Sequence, residues 1–465
     1  MGFRTEKDLL GEYKIDESRY YGINTARALE NFALPARPMD LRLMRDIALI
    51  KKAAADANLR TGQLSQEKAR AIMQACDEVM RGDFDGEFPV CCLQGGAGTS
   101  ANMNVNEVVA NRAIELLGGR KGDYGMVHPL DDVNMSQSTN DVFPTALRIA
   151  AIRLVRSLAD ALAGLQDILQ RKEEEFSRVP RLGRTQLMDA LPMRAGQGVG
   201  AWAQAVARDR WRIYKAEERL RLINIGGTAI GTGLNALPMY IFIVTENLQR
   251  MTGFGLSRAE SPMDITQNAD VFAEVSGLLK ACAVNLMKIS GDLRLLASGP
   301  SGGLGEAVLP PMQAGSTIMP GKVNPVIPEM VAQVCMRVMA NDQAVSMAAS
   351  MGQLELNAFL PLIAESLLES LELLEGAVRI FMDKCVSGLR FDGERCRANL
   401  EKSSALAAAL IHHIGYDRAA ELARRAQASG QTLREAALEE GVLPPERIEE
   451  IFSLDTTTKP GIPGN

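Results

Sequence analysis

Histidine is scarce in this chain: His128, His412 and His413 are the only three in 465 residues. A histidine-rich zinc site is therefore hard to build. The seven cysteines include no Cys-x-x-Cys, and Cys91 and Cys92 are adjacent. That usage reads as reduced, mostly buried thiols of a cytoplasmic protein rather than a disulfide framework. No apolar run approaches the ~20 residues that span a bilayer, so no membrane is expected. The opening Met-Gly-Phe-Arg-Thr-Glu-Lys-Asp has no apolar signal core. Gly2 invites acylation, but Glu6 stands where Ser or Thr is wanted. Basic runs are missing and the net charge is −6, which argues against nucleic acid as the main ligand.

Two phosphate-binding motifs are also absent. Gly315 to Lys322 imitates a phosphate loop, yet five residues separate Gly315 from Gly321, and Val323 stands where Ser or Thr should hold magnesium. Gly231-Thr-Gly-Leu-Asn-Ala236 imitates a dinucleotide fingerprint without the strand before it or the βαβ pattern around it.

What remains is an ordinary globular composition, 46% hydrophobic and 23% charged. The length has room for about three domains, or for one elongated helical body with caps. Helices are predicted from about Leu41 to Leu59 and from Gln66 to Met80. Ala151, Leu154, Leu158, Leu162, Leu165 and Leu169 then recur at spacings of 3 and 4, the stripe of a helix buried along one face. A second long stripe runs Val271, Val275, Leu278, Cys282, Leu286, Ile289, Leu293, Leu296. Further helices are predicted over Arg194–Arg221, Glu329–Met351 and Phe359–Cys385. Stripes this long predict a bundle of nearly parallel or antiparallel helices. Beyond about Gly388 the helices shorten, and Thr456–Asn465 reads as a loose tail. The expected division is 1–137, mixed and mostly helical; 138–390, the long-helix bundle; and 391–465, a small helical domain.

Three polar junctions interrupt this pattern, each expected at a helix start. They are Gln94-Gly-Gly-Ala-Gly-Thr99-Ser100, Ser136-Gln-Ser138-Thr139-Asn140-Asp141 and Gly183-Arg-Thr185-Gln186-Leu-Met-Asp189. Thr99 or Ser100 is an expected N-cap, and Ser138-x-x-Asp141 resembles a capping box. Helix starts present free N–H groups and a positive dipole end, which attract carboxylates. The fourth feature is a shaped loop, Gly315-Ser-Thr-Ile-Met-Pro-Gly-Lys-Val-Asn-Pro-Val-Ile-Pro-Glu329. Its two glycines and three prolines forbid continuous helix. It carries Ser316, Thr317, Lys322, Asn324 and Glu329, the equipment for holding a small dianion.

Gly-Ser-x-Ile-Met-Pro-Gly-Lys-x-Asn resembles the signature loop of the aspartase/fumarase superfamily, whose members eliminate ammonia, water or an amine to release fumarate. All four stretches match, and the resemblance covers nearly the whole chain. It implies a mainly α, three-domain fold with a central long-helix bundle. It also implies a homotetramer whose active sites each draw on three subunits, a small dicarboxylate substrate, and no cofactor or metal. By position, Thr99, Ser138, Thr139 and Asn140 would bind substrate, as would Thr185 and Gln186 from another chain. Ser316 would be the general base, Thr317 a carboxylate donor, Lys322 and Asn324 carboxylate clamps, and Glu329 an acid behind them.

Gln186 bears on the leaving group. Hydratases of the superfamily carry histidine there, paired with the residue matching Glu329; glutamine transfers no proton near neutral pH. Gly-Arg-Thr-Gln-Leu with Asp189-Ala190, Val326–Glu329, and Tyr20-Tyr21-Gly22 through Glu30-Asn31-Phe32 resemble the branch that removes ammonia from aspartate. A hydratase, or an ammonia-lyase for another amino acid, is the alternative. A non-catalytic relative would be expected to lose loop residues, and Ser316, Lys322 and Asn324 are all present. Thr317 replaces the commoner second serine and keeps a hydroxyl. The segment His128-Pro-Leu-Asp-Asp-Val-Asn is closer to the hydratase pattern, with His128 at most an accessory anion contact.

Overall fold

In the computed structural model, which describes residues 2–464, the chain opens with an antiparallel hairpin, β1 (Phe3–Asp8) and β2 (Gly11–Asp16). Alternation is weak there, and the sequence pattern gives no sign of it. Helices α1 (Ile23–Asn31), α2 (Leu41–Arg60), α3 (Gln66–Arg81) and α4 (Thr99–Leu116) follow. Asp40 starts α2 by accepting the Arg42 N–H, and Ser65 starts α3 by accepting that of Lys68. Next come α5 (Thr139–Glu175), the hairpin β3 (Pro180–Thr185) and β4 (Met188–Arg194), and α6 (Ala195–Leu220). Then α7 (Pro238–Thr252), α8 (Pro262–Gln267), α9 (Asp270–Leu296), α10 (Val326–Ser350) and α11 (Leu360–Phe381) complete the long-helix region.

The predicted long helices are present, with ends within a few residues of expectation. The α5 stripe is buried at Ala151, Leu158, Leu162, Leu165 and Leu169. The α9 stripe is buried at Val275, Cys282, Leu286, Ile289, Leu293 and Leu296, whereas Phe272 and Leu279 are buried where the pattern pointed to Val271 and Leu278. A one-residue shift moves a side chain by about 100° around a helix, so mixed apolar neighbours hide it.

The described chain forms two compact units: Met1–Ala159, Arg212–Ala281 and Arg337–Leu374 in the first, and Asp160–Trp211, Cys282–Met336 and Glu375–Asn465 in the second. Every boundary falls inside a helix: α5, α6, α9, α10 or α11. In the first unit α2 packs on α3, α4 and α7, and α4 packs on α1. The second unit includes short helices α12 (Gly393–Glu401), α13 (Ala407–Ile414), α14 (Tyr416–Ser429), α15 (Leu433–Glu439), α16 (Pro445–Ile451) and α17 (Leu454–Thr457). Leu410, Leu422, Leu433, Ile448, Ile451 and Phe452 give these a core of their own.

The tail is better anchored than its Pro/Gly content suggests. Arg194 Nε donates to Thr458 Oγ1, Gln197 Nε2 to Thr458 O, and His413 Nε2 lies 2.8 Å from Pro463 O. All seven cysteines are buried free thiols. Among the described residues no helix is long and apolar enough to cross a membrane.

Candidate active site

The first unit holds two of the four polar stretches. Gly98 has φ 94° and packs against the Phe143 ring, so a side chain there would be strained and would clash. It forms the N-cap of α4 without a side-chain bond, which corrects the expected Thr99 or Ser100 cap. Thr99 instead donates through Oγ1 to Gly96 O at 2.7 Å and is exposed. The capping acceptor is Gln94, whose Oε1 takes the Ala101 N–H at 3.0 Å. Gln94 lies four residues ahead of the N-cap, outside the positions that local capping rules cover, so nothing in the residue pattern points to it.

At the start of α5, Ser138 Oγ accepts the Asn140 N–H at 3.2 Å. Asp141 supplies half of the expected capping box, accepting Ser138 N–H at 2.9 Å through Oδ1. Its Oδ2 accepts Gly226 and Thr228 N–H, each at 3.0 Å, which fastens the glycine turn at 226–235 to this corner. Burial pushes the Asp141 carboxyl up to about 7, against the pull of those three N–H donors. Asn140 Nδ2 donates to Ala229 O at 2.7 Å, and Asn224 Nδ2 to Asn140 O at 3.0 Å. The first turns of α4 and α5 are joined by Asn102, whose Nδ2 reaches Thr139 Oγ1 and Asn134 Oδ1, both at 3.1 Å. Ser138, Thr139 and Asn140 thus belong to one hydrogen-bonded corner, whereas Thr99 bonds back to Gly96 and is tied to it only through the helix that carries Asn102.

The second unit holds the other two stretches. Thr185 and Gln186 do not open a helix, contrary to expectation; they form the exposed tip of the β3–β4 hairpin. Gln186 (φ 54°) and Leu187 (φ 65°) are both left-handed. Such tips normally read Asn-Gly or Gly-Gly, so a Gln-Leu tip conceals the hairpin from sequence rules. Each strained residue costs on the order of 1–3 kcal/mol, a pattern associated with functional positions. Behind the tip, the Arg184 guanidinium makes a two-pronged bond to buried Glu306 at 2.7 and 3.0 Å, which raises the arginine's affinity for its proton. Asn399 Nδ2 adds a third bond to that carboxylate, and Ser403 Oγ donates to Asp189.

The loop at 315–329 closes on itself. Gly315 N–H donates to Lys322 O at 2.8 Å, and Asn324 Nδ2 to Gly315 O at 2.9 Å. A Cβ on Gly315 would lie 2.5 Å from Lys322 O, so only glycine permits this closure. Ser316 Oγ accepts N–H groups from Ile318 (3.2 Å) and Met319 (2.9 Å). Thr317 and Lys322 are exposed, and Lys322 has no side-chain partner among the described residues. Glu329, in the first turn of α10, faces Arg294 at 3.7 Å, a partner that sequence order alone could not supply. No hydrogen bond joins Thr185 or Gln186 to this loop among the described residues. His128 Nδ1 accepts the Leu130 and Asp131 N–H groups and so caps the turn at 129–133. A cleft of about 300 Å³ is lined by Arg184 and Leu187 together with Arg181, Trp202 and Lys288; none of the residues expected to bind substrate lines it.

The chain is mainly helical; its first unit gathers hydroxyls and amides at the starts of α4 and α5, and its second carries a polar loop whose Lys322 ammonium has no side-chain partner among the described residues. A lyase family model matches residues 11–340, and a fumarase C carboxy-terminal model matches residues 406–459. The chain belongs to the aspartase/fumarase superfamily of lyases. It is similar to an aspartate ammonia-lyase of a Bacillus species, 45% identical over 99% of this chain and 98% of the relative. It is also similar to the class II fumarate hydratase of Bacillus subtilis (strain 168), 41% identical over 99% of this chain and 100% of that one. A crystal structure titled fumarate lyase:delta crystallin, from Brucella melitensis bound to cobalt, superposes with a TM-score of 0.94 at 47% identity, covering 98% of each chain.

Proposed function

We propose that this lyase removes ammonia from L-aspartate to give fumarate, reversibly and by anti-elimination. The observation that carries the reading is Gln186, exposed at the hairpin tip with a side chain that cannot transfer a proton. A departing amine needs no such relay, whereas departing water does. The aspartate ammonia-lyase relatives support the same choice.

Ser316 takes the proton from the carbon beside one carboxylate, and the electron pair moves into that carboxylate, giving a doubly charged aci-form. That pair then returns to form the double bond as the carbon–nitrogen bond breaks. The two N–H groups aimed at Ser316 Oγ lower the cost of its alkoxide. Lys322, Asn324 and Thr317 hold the carboxylate on which charge develops, the largest expected contribution to rate. The Ser138–Asn140 corner, Thr99 and the Thr185–Gln186 tip hold the remaining groups, with Glu329 behind them. Each site is completed by other copies of the chain in a homotetramer. Mixing inactive Ser316→Ala and Asn140→Ala subunits should therefore restore part of the activity.

The second reading, fumarate hydration, is favoured by the 41% identical hydratase. Fumarate formation from aspartate and from malate, followed from about pH 6 to 9, spans an ordinary histidine titration and separates the two. Aspartate should yield fumarate and malate should not. Efficient malate turnover overturns the proposal. Gln186→Ala should lose about 10- to 100-fold in kcat/KM, mostly through KM, as one hydrogen bond to a charged group is removed.

A further inference from the structure

Lys51, on α2, is fully buried, and among the described residues its ammonium touches no acid. Nζ donates to Asn134 Oδ1 at 2.7 Å and to Gln137 Oε1 at 3.0 Å. Asn134 Oδ1 also accepts Asn102 Nδ2 and Asn106 Nδ2, at 3.1 and 3.2 Å. Since Asn102 Nδ2 also reaches Thr139 Oγ1, a hydrogen-bond path leads from the ammonium to the first residue of α5. Gln137 is fixed in turn, its Nε2 donating to Val133 O and Met135 O. Burying a cation among neutral amides is costly unless something compensates the charge. The place left for that compensation is the corner the path ends on.

We infer that Lys51 is a positioning residue whose buried ammonium fixes the Ser138–Asn140 corner through Asn134 and Gln137 and is compensated by the carboxylate received there. The inference rests on the dicarboxylate reading above. Two ionisable groups bear on Lys51: Asp141 on α5, turned toward the Ser138, Gly226 and Thr228 N–H groups, and Cys76 on α3. From α4 come the amides of Asn102 and Asn106, and α7 brings Tyr240, whose buried hydroxyl bears on Asp141. Burial holds the Cys76 thiol neutral. Burial also pushes Lys51 down to about 7, with Asp141 opposing the shift. An arriving anion favours the charged lysine, so above pH ~7 binding must take up a proton. Affinity is then highest below pH 7 and falls above it by as much as about tenfold per pH unit.

Succinate, an unreactive dicarboxylate, tests this by calorimetry on the full-length protein at pH 6 to 9. At pH 8, two buffers of different ionisation enthalpy should report uptake of up to one proton in the wild type. An anion also raises the affinity of Asp141 for protons, so Lys51 variants are needed to apportion that uptake. Lys51→Arg keeps its charge at every pH; its affinity should persist to pH 9 with less proton uptake. Lys51→Met should bind at pH 6 roughly tenfold or more weakly, near the wild-type value at high pH. Wild-type binding without proton uptake overturns the inference even if neither variant folds. So do variants that lose stability but keep the wild-type pH dependence, since Lys51 would then be scaffold only. Absence of succinate binding at every pH overturns the dicarboxylate reading and this inference together.

Discussion

The corner at the starts of α4 and α5 and the loop at 315–329 offer the same kinds of group, hydroxyls and amides, on opposite supports. In the corner, Thr139, Asp141, Asn102 and Asn106 are buried, and Asp141 alone ties down three backbone N–H groups. In the loop, residues 317–323 are exposed, and three bonds (Gly315 to Lys322, Lys322 to Met319, Asn324 to Gly315) hold the chain closed. The corner's groups are therefore fixed before any ligand arrives, and changing them disturbs the fold. Loop groups bury little, so changing them should remove chemistry and leave stability alone.

The sharpest way to break that comparison is Ser316→Ala. Turnover should fall by about 10²–10⁴ or more, the usual contribution of a proton-transfer group. The thermal midpoint should stay within ~2 °C of wild type, because the loss is confined to two exposed-loop hydrogen bonds. A bland role is also open to Ser316, as the acceptor that shapes its own turn. Ser316→Asn separates the two, since asparagine can shape a similar turn but cannot serve as the base. It should be as inactive as the alanine variant. Activity recovered in Ser316→Asn would reduce Ser316 to a shaping residue.

Asp141→Asn probes the other side. At pH 8, where the carboxylate is ionised, an amide cannot satisfy all three N–H donors, one of its two ends being a donor itself. Stability should fall by about 2–3 kcal/mol, with a rise in KM as the Ser138–Asn140 turn loosens. Urea unfolding at fixed protein concentration measures the first and steady-state kinetics the second. Wild-type stability with altered KM would mean that the corner is no better anchored than the loop.

Much of this was legible in the residues. The long helices followed from stripes at spacings of 3 and 4, since burial along one face leaves a period that survives local noise. The loop could be read because Gly315, Gly321 and three prolines leave few other conformations. The hairpin at 180–194 could not, because Gln186 and Leu187 adopt left-handed backbone without the glycine that announces it. Gln94 as the α4 cap, Arg294 beside Glu329 and Lys51 beneath the corner escaped for a second reason. Each acts through space on a partner far along the chain or outside the usual local rules, and periodicity carries no such information.

The smallest expected effect sharpens the comparison through pH. Asp46 on α2 is buried, with one oxygen 3.0 Å from Arg153 Nη2 and the other without a partner among the described residues. Burial outweighs Arg153 and pushes the carboxyl up to about 6, whereas an unfolded aspartate titrates near ~3.9. Between those values the folded state holds a proton that the unfolded state has released. This contribution to stability is therefore present below pH ~4 and is lost as pH rises through about 6. Asp46→Asn has no such titration, so its stability relative to wild type should rise by roughly 2 kcal/mol from pH 4 to 7. The loop's own acid gives the contrast. Glu329 and Arg294 are 40% and 48% exposed at 3.7 Å, and an ion pair so open to solvent contributes ~0.5 kcal/mol or less. Glu329→Gln should therefore track the wild type within about that amount across the same range. Urea midpoints at pH 4.5, 5.5, 6.5 and 7.5, at one protein concentration, decide it. A flat difference for Asp46→Asn would mean that its carboxyl is ionised throughout and that Arg153 outweighs burial.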